Sequence, residues 1–388
     1  MVVWYHTTII WVWHDMVWYH HTTMVRTTTM TFSRHQRKHE NVGFSQRTVL
    51  ITSILLLVVF TLFWSLTNEK DTIAGNVREQ RSSPTTDDPF STARFCSING
   101  TCHETPYTPS PRTVYSVWSQ EQYDLWWKCH AQLNETALTY AKRRAALMHT
   151  SAHPQHTSRP LVLWGDSITE SWLGTGLCQS KLLRTQGVPQ VLEKWTKTST
   201  FVFDPLINAI SGDQTQHLLY RMQNGQLQSV VANDPNALHV VLIGTNNLGS
   251  GELPGPTAEG MLAVADYLLQ HTKGFVLMLE LLPRGDGSQI LPQLCPPRCR
   301  TDESGHAVPF RSFLPAIDKV HGLVKDGITK RQQKYGNRVD LLNCGDAFVE
   351  NPTKKEEVDV SLMPDRLHPN AAGHQILADC MDKYFGDM

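Results

Sequence analysis

The chain lacks a charge excess of either sign: 35 Lys and Arg face 36 Asp and Glu among 388 residues, a formal net charge of −1 at pH 7. Nucleic-acid binding asks for a concentrated basic surface, so that class of partner is set aside. Cysteine is missing from the whole stretch before Cys96, and charge is missing altogether from Thr48 to Thr67. From Met1 to about Met30 the chain is crowded with Trp, His, Thr and Tyr but has neither strand alternation nor a helical stripe, and no secondary structure is assigned to it. His6, His14, His20, His21, His35 and His39 all precede residue 40, yet their spacing matches no ligand pattern. No metal site is expected there.

What is present begins with the uncharged run, whose centre is Ile54-Leu55-Leu56-Leu57-Val58-Val59-Phe60. A helix of about 20 such residues, rising ~1.5 Å each, spans a ~30 Å hydrocarbon core, so Thr48–Thr67 is expected to cross a membrane. Arg34, Arg37, Lys38 and Arg47 precede it, whereas Glu69, Lys70 and Asp71 nearly cancel on the other side, which puts the N-terminus in the cytosol. The run is long for a cleavable signal and no clear small-x-small site follows it. The expectation is a single-pass signal anchor with everything after it in the lumen of the secretory pathway or outside the cell. All eight cysteines fall on that oxidising side, an even number suited to disulfides. Their pairing stays open, although Cys96–Cys102 and Cys295–Cys299 have the spacing of short local staples and lack the two-residue gap of zinc pairs. Asn99-Gly100-Thr101 and Asn134-Glu135-Thr136 are glycan acceptor sequons, which makes Asn99 and Asn134 candidate attachment sites.

Composition divides the chain into a disordered cytosolic tail (1–47), the anchor (48–67), a Ser/Thr/Asp/Pro-rich stalk (68–117), a helical prelude (118–155) and a main domain (156–388). In the prelude Leu125, Cys129, Leu133 and Ala137 recur four apart, one helical face. In the main domain Leu161–Trp164, Phe201–Ile207, Leu238–Ile243, Phe275–Leu281 and Val339–Asn343 read as strands. Helices are expected at about Gln214–Val231, Thr257–Gln270, Leu314–Lys334 and Ala371–Tyr384. Strand and helix in alternation imply an α/β fold: three layers, α/β/α, around a five-stranded parallel sheet, with the site beyond the strands' carboxyl ends.

Three strand ends carry chemistry. Leu161 to Trp164 is followed by Gly165-Asp166-Ser167, where a tight turn presents a serine at the start of a helix whose free N–H groups can face developing negative charge. The alternative is that Asp166 or Ser167 merely caps that helix, as Asp and Ser often do. After the second strand comes Asn208-Ala209-Ile210-Ser211-Gly212-Asp213, where Gly212 lets a backbone N–H approach a substrate closely. After the third comes Gly244-Thr245-Asn246-Asn247, where the Asn246 amide is a candidate donor to the same spot. Near the end of the chain, Asp365-Arg366-Leu367-His368-Pro369 sets a carboxylate three residues before an imidazole. Pro369 suits the first position of the last helix and keeps His368 out of it. Asp365 can then hold one ring nitrogen while the other faces Ser167.

These four blocks, in this order, resemble the SGNH or GDSL hydrolase superfamily. Within it, Gly212-Asp213-Gln214-Thr215-Gln216-His217-Leu218-Leu219-Tyr220-Arg221-Met222-Gln223-Asn224-Gly225-Gln226-Leu227, Gly244-Thr245-Asn246-Asn247 and Leu281-Leu282-Pro283-Arg284-Gly285 are most similar to the catalytic subunits of intracellular platelet-activating-factor acetylhydrolase of the isoform I type. The resemblance covers roughly Pro160 to Tyr384. It implies Ser167 as nucleophile, His368 as base, Asp365 as its orienter, and an oxyanion hole formed by the Ser167 amide, Gly212 and Asn246, with no cofactor and no metal. The implied activity is hydrolysis of short acyl, most readily acetyl, esters of a small molecule, lipid or glycan. A glycan O-acetylesterase and an idle binding domain of the same fold are the alternatives, and a homo-oligomer is left open. Ser211 stands where those subunits have a second glycine, the gap from Ser167 to Gly212 is longer than usual, and Gly287 to about Phe310 reads as an inserted, cysteine-bearing loop.

Overall fold

The computed structural model describes residues 102–117, 119–150, 158–199, 201–285, 299–301, 304, 307–309, 313–349 and 358–388. The tail, the anchor at 48–67, the sequon at Asn99 and most of the stalk lie outside the described residues. Among the described residues no helix is long and apolar enough to cross a membrane.

Five strands, β1 (Arg159–Gly165), β2 (Phe203–Ala209), β3 (Leu238–Leu242), β4 (Phe275–Leu279) and β5 (Val339–Leu342), form one sheet in the order β2-β1-β3-β4-β5. Every pairing is parallel. The chain steps outward from β1 to β2, then returns across β1 to β3, and this reversal opens a crevice at the carboxyl ends of β1 and β3. Gly165 is in register with Ala209 on one side and Leu242 on the other, so three strands end level there.

Alternation along the strands sends side chains to two separate cores. Val162, Trp164, Val241, Val276 and Met278 pack on one face against α6 (Pro254–His271) and α7 (Leu314–Tyr335). Leu161, Leu163, Ile207, Val240 and Leu277 pack on the other against α3 (Val188–Thr198) and α8 (Ala371–Gly386). Both faces are therefore covered, as the near-continuous apolar strands require. Further helices include α1 (Gln120–Thr150), α2 (Ser167–Glu170), α4 (Thr215–Arg221) and α5 (Thr245–Gly249).

The prelude is α1, and it lies on the domain: Ala137 and Tyr140 join the first core, the Tyr140 hydroxyl donates to the Asp204 carbonyl at 2.9 Å, and Arg143 pairs with Asp204 at 2.6 Å. Several expectations are corrected. Residues 102–117, expected in the stalk, pack on the main domain, with Glu104 and Arg112 buried. The helix expected to run from 214 to 231 breaks after α4, because Asn224 and Gly225 leave helical geometry and Gly225 adopts φ 111°. There the Asn134 amide donates to the Asn224 carbonyl at 2.9 Å, so the second sequon has its acceptor nitrogen engaged in a packed contact. Pro369 is not in the first turn of α8; Asn370 caps that helix, its side chain accepting from the Gly373 N–H at 3.1 Å. Helix α3 had no counterpart among the expected elements.

Cys129 is bonded to Cys178 and Cys344 to Cys380, and Cys102 is disulfide-bonded as well. The expected 96–102 and 295–299 staples each include a residue outside the described ones. Within the inserted loop, Cys299–Thr301 and Ala307–Pro309 pair as antiparallel strands.

Candidate active site

At the end of β1 a side chain on Gly165 would collide with Thr169 and with the Leu242 carbonyl at 2.5 Å, so glycine lets these groups pack closely. The close packing brings α2 directly onto the crevice. Asp166 caps α2, its Oδ1 accepting from the Ile168 N–H at 3.0 Å, while Oδ2 is buried without a partner among the described residues. Burial pushes the Asp166 carboxyl up to about 7, the Ile168 N–H opposing and Asp213 reinforcing the rise. The structure thus shows the capping use of Asp166, with Ser167 as the first residue of α2.

Ser167 Oγ lies 2.8 Å from His368 Nε2, and His368 Nδ1 lies 2.7 Å from Asp365 Oδ2. Asp365 Oδ1 accepts the backbone N–H groups of His368 at 2.7 Å and Leu367 at 3.0 Å. Burial would raise the Asp365 carboxyl, but the hydrogen bond and charge of His368 and these two amides overcome it and hold the group at about 2. Asp365 is therefore ionised at neutral pH, Nδ1 carries the ring proton, and Nε2 is left to accept from the Ser167 hydroxyl. The loop bearing Asp365 and His368 is tied to the segment after β4 by the Gly285 N–H donating to the Arg366 carbonyl at 2.9 Å.

Gly212 follows β2 and Asn246 follows β3, the two strands that flank β1. Gly212 has φ 81°, and a Cβ there would sit 2.5 Å from Arg112 Nη2. The Asn246 side-chain amide donates to the Asp213 carbonyl at 2.9 Å and stays half-buried, with a second N–H left over. Asp213 itself is buried: Trp126 Nε1 donates to Oδ1 at 2.8 Å, Arg221 Nε donates to Oδ2 at 2.6 Å, and Arg112 lies 3.3 Å away. Arg221 also donates to the Gly165 carbonyl at 3.1 Å, so one guanidinium fastens the ends of β1 and β2 together.

Sequence reasoning missed the residues beneath the site. Glu170 is fully buried and collects five donors: Thr175 Oγ1 (2.9 Å) and Cys178 N (2.7 Å) at Oε1, then Leu177 N (3.0 Å), Ser211 N (2.6 Å) and Ser211 Oγ (2.6 Å) at Oε2. The sulfurs of Cys129 and Cys178 lie within 4.8 Å of it, but disulfide sulfurs offer no thiolate to a metal. Glu104, from the presumed stalk, accepts from His217 at 2.8 Å and Gln216 at 2.9 Å and braces α4. Arg184 stands beside His368, Nη1 to Nε2 at 3.4 Å. Only Glu170 adjoined a motif, and nothing in the sequence separates a buried carboxylate there from an ordinary first-turn Glu.

Residues 163–376, more than half of the chain, match the GDSL-like lipase/acylhydrolase family. The chain belongs to that family. It is an ester hydrolase on that ground. Relatives of the GDSL-like chain include platelet-activating factor acetylhydrolase IB subunit alpha2 of Gallus gallus, 37% identical over 78 residues, which are 20% of this chain and 31% of the relative. Subunit alpha1 of Pongo abelii is 36% identical over 88 residues, 22% of this chain and 36% of the relative. The match thus spans about a third of the length of these relatives. Similar solved structures include a GDSL-like lipase from Bacteroides thetaiotaomicron, 16% identical with a TM-score of 0.40, covering 64% of this chain and 97% of that one. A variant of an acetyl xylan esterase from Geobacillus stearothermophilus is 17% identical with a TM-score of 0.40, covering 59% and 95%.

Proposed function

We propose that this GDSL-like acylhydrolase is a membrane-anchored serine esterase that removes short acyl groups, acetyl foremost, through an acyl-enzyme, with its catalytic domain in the lumen or outside the cell. The observation that carries the chemistry is the unbroken run from Asp365 through His368 to Ser167, at 2.7 and 2.8 Å. Ser167 Oγ attacks the ester carbonyl carbon while Nε2 takes its proton. The carbonyl oxygen becomes an oxyanion facing the Ser167 and Gly212 amides and the spare N–H of Asn246. Collapse expels the alcohol, which takes the proton from Nε2, and water repeats the sequence on the acyl-enzyme to release the acid. Asp365 keeps its charge throughout and stabilises the imidazolium. Acetyl preference is supported by the partial similarity to the acetylhydrolase subunits, and the anchor and orientation by the uncharged run at 48–67 and its basic N-terminal flank.

The test is fluorophosphonate labelling and acetyl-ester hydrolysis by the full-length protein and its Ser167→Ala variant. Wild type should label and turn over, and the folded variant should do neither. Full turnover by folded Ser167→Ala would end this reading. Added protease on intact microsomes tests the topology, and digestion of the domain from the cytosolic side would refute it.

A further inference from the structure

Residues 174–187 lie in the lengthened gap between Ser167 and Gly212 and carry a cation onto the site. Arg184 sits on the one-turn helix Leu182–Thr185. Its Nη1 is 3.4 Å from His368 Nε2, and its Nη2 donates to the Thr175 carbonyl at 3.3 Å. The first contact satisfies nothing, since the single lone pair of Nε2 already receives the Ser167 hydroxyl. The Arg184 Nε is buried without a partner among the described residues. A guanidinium has five N–H donors, and among the described residues this one has a single carbonyl for them.

Two of the three carboxylates in its field are committed elsewhere, and the third, Asp166, makes no hydrogen bond to it among the described residues and is pushed up to about 7 by burial. Glu170 is saturated by its five donors, and Asp365 is occupied by His368 and two backbone amides. The segment it rests on is nonetheless held firmly. Thr175, whose carbonyl it contacts, donates its hydroxyl to Glu170; Cys178 is bonded to Cys129 on α1; and Gly176 has no side chain where a Cβ would press on Arg184 Nη2 at 3.1 Å. A half-buried, preorganised guanidinium short of acceptors is costly in a resting protein and is what a bidentate oxyanion site requires. Its place beside Nε2 is also informative. Nε2 returns the proton to the departing alcohol, so Arg184 faces the alcohol side of the ester.

We propose that Arg184 is a substrate-recognition residue that selects esters whose alcohol part carries a carboxylate or phosphate close to the ester oxygen. This rests on the serine-esterase reading above. The experiment measures kcat/KM of the full-length protein on acetoxybenzoates bearing the carboxylate ortho, meta or para, on acetoxyphenyl phosphate, and on methyl acetoxybenzoate as the neutral partner. The readout is the anionic-to-neutral ratio, from which the fraction of folded enzyme cancels. Arg184→Gln should lower that ratio at least about tenfold for one or more anions, the scale of one charge-assisted contact. Arg184→Lys should restore part of it, and added salt should shrink the wild-type ratio. Loss on carboxylates alone or on phosphate alone identifies the group recognised. A ratio unchanged in Arg184→Gln for every anion overturns the proposal while leaving the esterase reading intact. Failure of wild type to hydrolyse any of these esters overturns both.

Discussion

Ser211 gives both its backbone N–H and its hydroxyl to the same oxygen of Glu170, each at 2.6 Å. Ser211 is therefore a double clamp on a fully buried carboxylate. Ser211→Gly should destabilise the protein by about 1–2 kcal/mol, since Oε2 loses one charge-assisted donor and keeps two. Glu170→Ala should cost several times more, because it strands all five donors. Urea denaturation of both variants checks the order, and an equal cost would mean that the cluster does not bear on stability as its hydrogen bonds indicate.

The acid limb of the pH–rate profile should lie below the ordinary imidazole value of 6.5. Burial lowers the His368 ring, Asp365 opposes through its hydrogen bond and charge, and Arg184 and Arg284 lower it again. A base works when neutral, so a depressed value preserves activity as the pH falls. Removing one cation reverses part of this. Arg184→Gln should shift the limb toward higher pH and lose more activity in mild acid than at neutrality. Profiles of kcat/KM on methyl acetoxybenzoate provide the measurement, and superimposable limbs would contradict the electrostatic account.

The strands were legible in the sequence because apolar runs such as Leu161–Trp164 and Leu238–Ile243 can only be buried on both faces, and the turns after them carry Gly165, Gly212 and Gly244. Asp365 and His368 were legible because they stand three positions apart. Helix α3 was missed although Val188, Leu192 and Trp195 face the core and Pro189 stands in its first turn. Its neighbours Lys181 to Gly187 have no periodicity, and that hid the start. Arg184, Glu170 and Glu104 act through contacts with distant segments, which no local pattern records. The stalk boundary failed for the same reason: Pro106 and Ser110 look like linker residues, yet the Pro106 carbonyl accepts from Thr215 at 2.7 Å and the Ser110 N–H donates to the Gln216 carbonyl at 3.2 Å.

Asp166 should make stability depend on pH. Its carboxyl is raised from 3.8 to about 7 in the folded state, so the native protein holds that proton over a range where the unfolded chain has lost it. Stability should fall as pH rises through this window, by up to about 4 kcal/mol for a shift of that size. Asp166→Asn keeps an oxygen for the Ile168 N–H and removes the titration. The difference in unfolding free energy between the two proteins should change in favour of the variant from acid to neutral pH. A difference that stays constant across the window would show Asp166 to be ionised in the fold.

Loss of the Cys129–Cys178 bond should be felt at the site as well as in stability. The bond closes a separation of 49 residues, and its removal as a paired alanine variant should cost roughly 2–4 kcal/mol. Removing Cys344–Cys380 should cost a similar amount, since its separation is 36. Only the first anchors the segment from Thr175 to Cys178, which Glu170 holds and Arg184 touches. KM for an anionic acetyl ester should therefore rise in the Cys129/Cys178 variant and stay near wild type in the other. Equal changes in KM would make both bonds purely structural.

Asn246→Ala should lower kcat by roughly 10²–10³, the range for losing one oxyanion donor, while KM moves little. The geometry explains why the amide suits that task. One N–H is fixed on the Asp213 carbonyl at 2.9 Å, and Asp213 is held in turn by Arg221 and Trp126, so the amide is held in place before substrate arrives. A preorganised donor adds most where charge develops, which is the transition state and not the bound ester. Asn246→Asp keeps the size of the side chain but replaces the donor with a carboxylate, and it should be at least as impaired as the alanine variant because it sets a negative charge against the oxyanion. Circular dichroism confirms folding, and steady-state kinetics on a short acetyl ester separate kcat from KM. An Asn246→Ala enzyme with raised KM and wild-type kcat would return Asn246 to ground-state binding or to turn formation.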